Sequence, residues 1–256
     1  MQASSTQETA TSEFSKVAAV TFSFWLIKIL CTTLGETGGD AVTMSMNLGY
    51  AVGTSIFGVI FLVAVVAQVF AKKFHPFLYW FTIIATTTVG TTMADLADRS
   101  EGLGYAWGSA LLLALVLGSL GLWYWSTGTV AVNTVSSPKA EIFYWVTILF
   151  SNTLGTALGD WTSEGTGFAG GIYLFFGLIA VVALLYFFTK VSRTLLFWSA
   201  FILTRPLGAN MGDFLTKPHA EQGLNLSRFA ASGVIAAVIV LLLILFPQKA
   251  GNHPGE

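Results

Sequence analysis

The sequence predicts an all-α integral membrane protein: eight transmembrane helices, arranged as four parallel two-helix repeats around a pseudo-fourfold axis. Two observations lead to this prediction. First, 54% of the 256 residues are hydrophobic and only 10% are charged, whereas an average soluble domain is about 25% charged. Second, a motif of glycine and aspartate recurs four times along the chain. A fixed internal period of this kind indicates a repeat architecture.

Eight apolar segments are each close to the roughly 20 residues that a helix needs to cross a bilayer. They lie at about 17–36, 48–71, 77–95, 104–126, 141–160, 167–189, 194–213 and 226–247. We therefore predict one transmembrane domain over residues 17–247. Residues 1–16 lack the basic start and apolar core of a signal peptide, and we predict a disordered cytoplasmic tail there. Residues 248–256 are predicted to form a second cytoplasmic tail.

The repeated motif places an aspartate five residues after a glycine, and a tryptophan ten residues before that glycine. The aspartates are Asp40, Asp95, Asp160 and Asp213, and the tryptophans are Trp25, Trp80, Trp145 and Trp198. Each interval between aspartates holds one motif helix and one plainer helix, so all four repeats share one orientation. Their predicted bounds are about 17–71, 77–126, 141–189 and 194–247. We expect the motif helices to surround the axis and the plainer helices to face lipid.

Positively charged loop residues predict the orientation in the membrane. Lys16, Lys72, Lys73, Lys139, Lys190, Arg193 and Lys249 would lie on one side, and Arg99, Lys217 and Arg228 on the other. Because cytoplasmic loops are enriched in Lys and Arg, seven against three places both termini in the cytoplasm.

Several functional classes are excluded by composition. A net charge of −1 without a basic face excludes a nucleic-acid partner. The single cysteine, Cys31, excludes an intrachain disulfide and a thiolate metal cage. We also predict that the chain is not an enzyme, since no nucleophile–base pair or histidine cluster occurs within the apolar segments.

The repeated carboxylates predict a cation site. A carboxylate at membrane depth is costly and marks an ion pathway, a proton relay or an ion pair. Four carboxylates near one axis would repel each other unless cations or protons shared the space. The candidate metal ligands are Asp40, Asp95, Asp160, Asp213 and Glu36, the last of which shares a helix face with Asp40 at i, i+4 spacing.

Neutral oxygen ligands and fixed charges complete the candidate site. The candidate substrate-binding residues are Thr33, Thr88, Thr153, Asn210, Lys28 and Arg205. Lys28 and Arg205 fall inside apolar segments, where they would either pair with Glu36 and the motif aspartates or contact the substrate directly. The sequence leaves both interpretations open.

Ligand chemistry narrows the cargo. Oxygen-rich sites suit Mg²⁺, Mn²⁺ or Ca²⁺, whereas zinc and copper favour imidazole and sulfur, and the three histidines lie outside the repeat. We expect no resident cofactor and a transported divalent cation that binds transiently, with Mn²⁺ as the leading candidate. Protons would compete with the metal for the carboxylates, and an exporter could use this competition to couple the two fluxes.

Two stretches carry a resemblance to known families. Residues 33–40 read TLGETGGD and residues 205–215 read RPLGANMGDFL. The chain resembles, over nearly its full length, a family of bacterial inner-membrane proteins described only as membrane-anchored, with TLGETxGD and RPLGAxxGDxL signatures. This resemblance implies a bacterial inner-membrane location and supplies no activity. Residues 36–40 are also similar to the E-x-G-D motif of Mn²⁺ and Ca²⁺ exporters. The stretch here is one residue longer than that motif, and those exporters carry two copies of their motif, whereas this chain has four repeats.

Two other functions stay open at this stage. Residues 87–90 (TTVG) look like the start of a potassium-channel filter, and fourfold two-helix repeats match channel stoichiometry. The alternative to any transport function is a structural or partner-binding membrane protein, because duplication can preserve a pattern for packing alone.

Overall fold

The computed structural model describes residues 15–102 and 104–251, and this part of the chain is all-helical. Its α-helices are α1 (Phe22–Asp40), α2 (Gly49–Phe70), α3 (Pro76–Asp95), α4 (Tyr105–Thr127), α5 (Pro138–Phe188), α6 (Arg193–Thr216) and α7 (Arg228–Leu245). Most of the predicted tail at 1–16, and the end of the tail at 248–256, lie outside the described residues. The chain just after the first tail pairs with the second tail, since Ala18 and Ala250 form an antiparallel β-bridge.

Seven helices rather than the predicted eight are found in this part of the chain. The difference arises in α5, which runs for 51 residues through the two segments predicted at 141–160 and 167–189. Gly167 interrupts it with φ 70° and ψ 169°, a backbone conformation that glycine adopts without steric cost. The helix therefore breaks at one residue, with no intervening loop.

Four helices are long and apolar enough to cross a membrane: α2, α4, α5 and α7. This is the pattern of a membrane protein, but it covers fewer spans than the eight predicted. Helices α1, α3 and α6 are less apolar because they carry many polar side chains, including Lys28 and Arg205, both fully buried. Most of their polar residues are buried against other helices.

The four helices that carry the repeated aspartates pack in a closed ring. These motif helices are α1, α3, the part of α5 before Gly167, and α6. Helix α1 packs against α3, α3 against α5, α5 against α6, and α6 back against α1. The outer helices follow the same cyclic order, because α2 packs on α3, α4 on α5, and α7 on α1.

Motif glycines make the close contacts within this ring. A Cβ on each one would overlap, or in the case of Gly90 tightly contact, the residue that lies three positions before the motif glycine of the next repeat. The pairs are Gly35 with Thr87, Gly90 with Asn152, Gly155 with Arg205, and Gly208 with Thr32. A second small residue follows four positions later: Gly39, Ala94, Gly159 and Gly212. Small residues at this spacing let membrane helices approach closely. The motif glycines therefore lie within continuous helices and allow neighbouring helices to pack against each other.

An aromatic collar closes the end of the ring at which the motif helices begin. It consists of the motif tryptophans and the aromatic residues that precede them: Phe24, Trp25, Tyr79, Trp80, Tyr144, Trp145, Phe197 and Trp198. Each preceding aromatic packs on the tryptophan of a neighbouring repeat. The ring centroids are 5.3 Å apart for Phe24–Trp80, 5.8 Å for Tyr79–Trp145, 6.3 Å for Tyr144–Trp198 and 5.7 Å for Phe197–Trp25. The aromatic that recurs ten residues before the glycine therefore holds the repeats together.

Candidate functional site

The four motif aspartates lie at the end of the ring farthest from the collar. Asp40 and Asp95 are the last residues of α1 and α3, and each is followed by a short π-helical turn, Ala41–Ser45 or Leu96–Ser100. All four residues are 5% exposed or less. Buried carboxylates require partners, because an isolated buried charge is costly.

Lys217 joins the aspartates of the first and fourth repeats. Its Nζ lies 2.9 Å from Asp40 Oδ2 and 3.2 Å from Asp213 Oδ1. Arg228 adds a longer contact, with Nε 3.5 Å from Asp40 Oδ2. Burial alone would lower the pKa of Lys217, but the charges of Asp213 and Asp40 outweigh it and raise the pKa above its ordinary value. Lys217 therefore keeps its positive charge between the two carboxylates.

Arg99 joins the aspartates of the second and third repeats in the same way. Its Nε lies 2.7 Å from Asp95 Oδ1, and its Nη2 lies 3.0 Å from Asp160 Oδ2. Arg99 and Lys217 both follow the aspartate of their own repeat by four residues. The four carboxylates are thus paired two by two, and each pair shares one cation supplied by the protein.

Another ion pair, formed by Arg205 and Glu36, lies deeper in the ring than the motif aspartates. Arg205 Nη2 is 3.1 Å from Glu36 Oε2, and the same nitrogen donates to the hydroxyls of Thr91 and Thr156. These partners come from α1, α3 and α5, while Arg205 belongs to α6. The guanidinium therefore lies between all four motif helices and occupies the centre of the ring.

Three carboxylates come close enough to share one metal ion. Glu36, Asp40 and Asp213 each have a carboxylate oxygen within 4.8 Å of one another, and all three are buried. Carboxylate oxygens are the ligands that hard divalent cations prefer. The i, i+4 placement of Glu36 and Asp40, predicted from the sequence, brings both side chains into this group.

A cavity of about 480 Å³ leads from the protein surface to two of the motif carboxylates. Asp160, Asp213, Arg99 and Lys217 line its inner part. The remaining lining residues are Tyr105, Ser163, Glu164, Gly165, Thr166, Gly167, Phe168, Glu221 and Gln222. We call this cavity the vestibule. It gives the ion pairs access to solvent on the side away from the aromatic collar.

The predicted threonine ligands lie elsewhere in the ring. Thr33, Thr88 and Thr153 occupy equivalent positions, and each hydroxyl donates to the carbonyl four residues earlier in its own helix, at 3.0, 2.9 and 2.9 Å. Serine and threonine commonly make this bond inside helices. The hydroxyls that do reach the charged centre belong to Thr91 and Thr156.

The other predicted substrate-binding residues differ in their surroundings. Asn210 Nδ2 donates to Pro206 O at 2.9 Å and to Gly159 O at 3.3 Å. Lys28 places its Nζ 4.2 Å from the centroid of the Phe201 ring, and no hydrogen-bond partner accompanies this nitrogen in the described residues. Of the two internal cations, Arg205 pairs with Glu36, whereas Lys28 has no ion pair in the part of the chain that the structure describes.

Sequence reasoning missed the cations that hold the aspartates together. On the sequence alone, Arg99, Lys217 and Arg228 are loop residues that indicate only the orientation. A signal is present for two of them, because a cation four residues after Asp95 or Asp213 lies on the same helical face. Thr91 and Thr156 could also have been found, since both occupy the repeat position that Glu36 occupies in the first repeat.

The fold and the site define a helical membrane protein in which repeated motif helices enclose a polar, charged centre. Four segments of the chain, residues 23–74, 78–129, 143–192 and 196–247, match the family described as Repeat of Unknown Function (DUF347). These segments cover most of the sequence, so the chain belongs to this family. No curated protein and no solved structure matches it.

Proposed function

We propose that the chain is a membrane transporter for a divalent cation, working as an exporter, with Mn²⁺ as the leading candidate. The observation that carries this proposal is the buried group of Glu36, Asp40 and Asp213, whose oxygens lie within 4.8 Å of one another. Asp160 lines the vestibule together with Asp213 of this group, and Asp95 is tied to Asp160 through Arg99. In this proposal all five carboxylates attract the cation, and the three clustered ones bind it.

The architecture proposed for this function is the full set of eight transmembrane helices, in four parallel two-helix repeats around a pseudo-fourfold axis. The cyclic order of helix contacts and the four family matches support it. The break at Gly167 would separate the sixth helix from the fifth. The proposed location is a bacterial inner membrane with both termini in the cytoplasm, supported by the excess of Lys and Arg on the collar side.

Ion identity follows from the ligand set. The clustered donors are all carboxylate oxygens, which suit Mg²⁺, Mn²⁺ and Ca²⁺ better than zinc or copper. The likeness of residues 36–40 to the E-x-G-D motif favours Mn²⁺ or Ca²⁺ among these. Protons are the proposed coupling ion, because protonation of a clustered carboxylate would remove one charge from the metal site.

The channel alternative fits the structure less well. Residues 87–90 lie within α3, where backbone carbonyls bond within the helix and are not free to replace an ion's water shell. The guanidinium of Arg205 also lies at the centre of the ring, in contact with the other three motif helices. A fixed positive charge at this position opposes a continuous cation pathway.

Metal binding and metal flux test the proposal. Purified protein in lipid nanodiscs should bind Mn²⁺, and Asp213→Asn and Asp40→Asn should weaken binding by more than the roughly 10–100-fold that loss of an outer-shell partner costs. Proteoliposomes carrying these variants should show matching losses of Mn²⁺ flux. Glu101→Gln is the matched control, because Glu101 is an exposed carboxylate at the same end of the protein.

A structural role is the competing outcome of this test. Here each motif aspartate would serve only its salt bridge. Correctly folded Asp213→Asn and Asp40→Asn proteins would then bind and transport Mn²⁺ as the wild type does, or the wild-type protein itself would bind no divalent cation. Either result would overturn the transporter proposal.

A further inference from the structure

The Lys217 ammonium occupies part of the space that a metal ion would need. Its Nζ contacts Asp40 Oδ2 at 2.9 Å and Asp213 Oδ1 at 3.2 Å, and these are two of the three carboxylates that could share a metal. A divalent cation bound to the same two oxygens would face this ammonium at short range. Two positive charges so close together repel strongly in a buried site.

We propose that Lys217 is a tethered cation that fills the metal site when metal is absent and leaves it when metal enters. This inference rests on the proposed function and adds the device that regulates the same site. In the empty protein Lys217 reduces the repulsion between Asp40 and Asp213. Metal entry replaces these contacts with metal–carboxylate bonds and moves the ammonium into the vestibule.

Only the side chain of Lys217 needs to move. Lys217 is the residue that follows α6, and its backbone is held from both sides: its N–H donates to Asp213 O at 2.8 Å, and its carbonyl accepts from Asn225 N–H at 2.9 Å. A lysine head carries its charge on a flexible four-carbon stem with rotatable donors. The ammonium can therefore swing while the backbone stays in place.

The vestibule offers the displaced ammonium a suitable destination. Lys217 lines this cavity of about 480 Å³, as do the carboxylates Glu164 and Glu221. Both acids lie nearer the surface, since each is exposed. The displaced charge thus enters a space with room, solvent and opposite charge.

Arg99 serves the other pair of aspartates and is a poor exchangeable cation. It contacts Asp95 and Asp160 through two different nitrogens, at 2.7 and 3.0 Å. A planar guanidinium held at two points is more rigid than a lysine amine. Of the two cations that bridge the motif aspartates, Lys217 is therefore the exchangeable one and Arg99 the fixed one, which places the metal site next to Lys217.

Affinity and chemical labelling together test the inference in the full-length protein in nanodiscs. Lys217→Met keeps the chain length and removes the charge, so it should bind Mn²⁺ at least about tenfold more tightly than wild type does. Lys139→Met, at the exposed start of α5, is the matched control and should leave Mn²⁺ affinity unchanged. In wild-type protein, amine-specific labelling of Lys217 followed by mass spectrometry should increase as Mn²⁺ is added.

The labelling experiment needs no variant, so it decides the matter even if Lys217→Met does not fold. Lys139 labelling should stay constant through the same titration. Mn²⁺ binding that depends on Asp213, with neither tighter binding in Lys217→Met nor any rise in Lys217 labelling, would overturn the tethered cation and leave the transporter proposal intact. Absence of Mn²⁺ binding in both wild-type and Lys217→Met protein would instead overturn the proposed function itself.

Discussion

Gly155 of the third repeat lies directly against Arg205 of the fourth, so a Cβ at position 155 would overlap the Cβ and Cγ atoms of Arg205. The missing side chain brings α5 and α6 together and at the same time admits the base of the arginine between them. Arg205 then extends to Glu36 on α1. A packing feature of the repeat thereby positions the charged centre of the ring.

Gly155→Ala is expected to destabilise the protein. The added methyl group has no space, because the atoms that it would meet lie at the base of the Arg205 side chain, next to the backbone of α6. Forcing a methyl group into a packed interior costs about 1–3 kcal/mol. SDS-induced unfolding in mixed micelles measures this loss.

Gly177→Ala is the matched control on the same helix. A Cβ added at position 177 would meet no atom within 4 Å, and alanine in a helix interior is about 0.5–1 kcal/mol more favourable than glycine. We expect unchanged or slightly higher stability. Equal effects at the two positions would contradict the close packing of α5 on α6.

The pair formed by Glu36 and Arg205 should behave as a buried salt bridge in a double-mutant cycle. Glu36→Gln or Arg205→Met alone leaves one buried charge without its partner, which typically costs about 3–5 kcal/mol. The double variant removes both charges and should recover much of that loss. Unfolding of the four proteins in mixed micelles gives the coupling energy.

Additive losses in the two single variants would contradict this arrangement. Lys16 serves as a control, because it belongs to a separate ion pair at the other end of the protein, with its Nζ 2.7 Å from Glu141 Oε1. A cycle that combines Glu36→Gln with Lys16→Met should show no coupling, because distant sites contribute independently.

The ring could be predicted from the sequence because its determinants repeat. The spacing of glycine, aspartate and tryptophan assigned equivalent positions in four helices, and those positions do meet in cyclic order. The continuity of α5 could not be predicted in the same way. Residues 161–166 are polar enough to suggest a loop, yet they continue the helix until Gly167.

The pairing of charges was harder to predict because it depends on which side chains turn inward. Thr33 and Thr91 are both threonines of motif helices, but Thr33 bonds to its own helix and Thr91 contacts Glu36 and Arg205. Lys217 lies beyond the end of α6, and sequence spacing alone does not show that it reaches Asp40 of another repeat. Such contacts depend on the tertiary packing of the ring.

Trp80→Ala should weaken the aromatic collar. Trp80 is fully buried and packs against Phe24 at a centroid distance of 5.3 Å, so its loss leaves a cavity between α1 and α3. Truncating a buried aromatic residue costs about 3–5 kcal/mol. Trp125→Ala, at a side chain that is 86% exposed, is the control, and comparable losses of thermal stability in detergent would contradict the role of the collar.

Asp98, at the end of the protein away from the aromatic collar, is expected to make the stability of the protein depend on pH. It lies in the π-helical turn after α3 and packs against Gly108, and both its carboxylate oxygens are buried without a hydrogen-bond partner in the described residues. Burial and the nearby charge of Asp160 raise the pKa of Asp98 to about 6, and Arg99 opposes them. The ionised form is therefore less favourable in the folded protein than in the unfolded chain.

Asp98→Asn should consequently stabilise the protein at pH 8 and have little effect at pH 4. A carboxyl group with a raised pKa favours folding while it is protonated, and this advantage is lost as the pH rises through about 6. Asparagine keeps the shape without ionising, so the difference in melting temperature between variant and wild type should grow between pH 4 and pH 8. Glu101→Gln, at an exposed carboxylate three residues further on, should show no such trend, and a pH-independent difference for Asp98→Asn would contradict the unfavourable ionisation of Asp98.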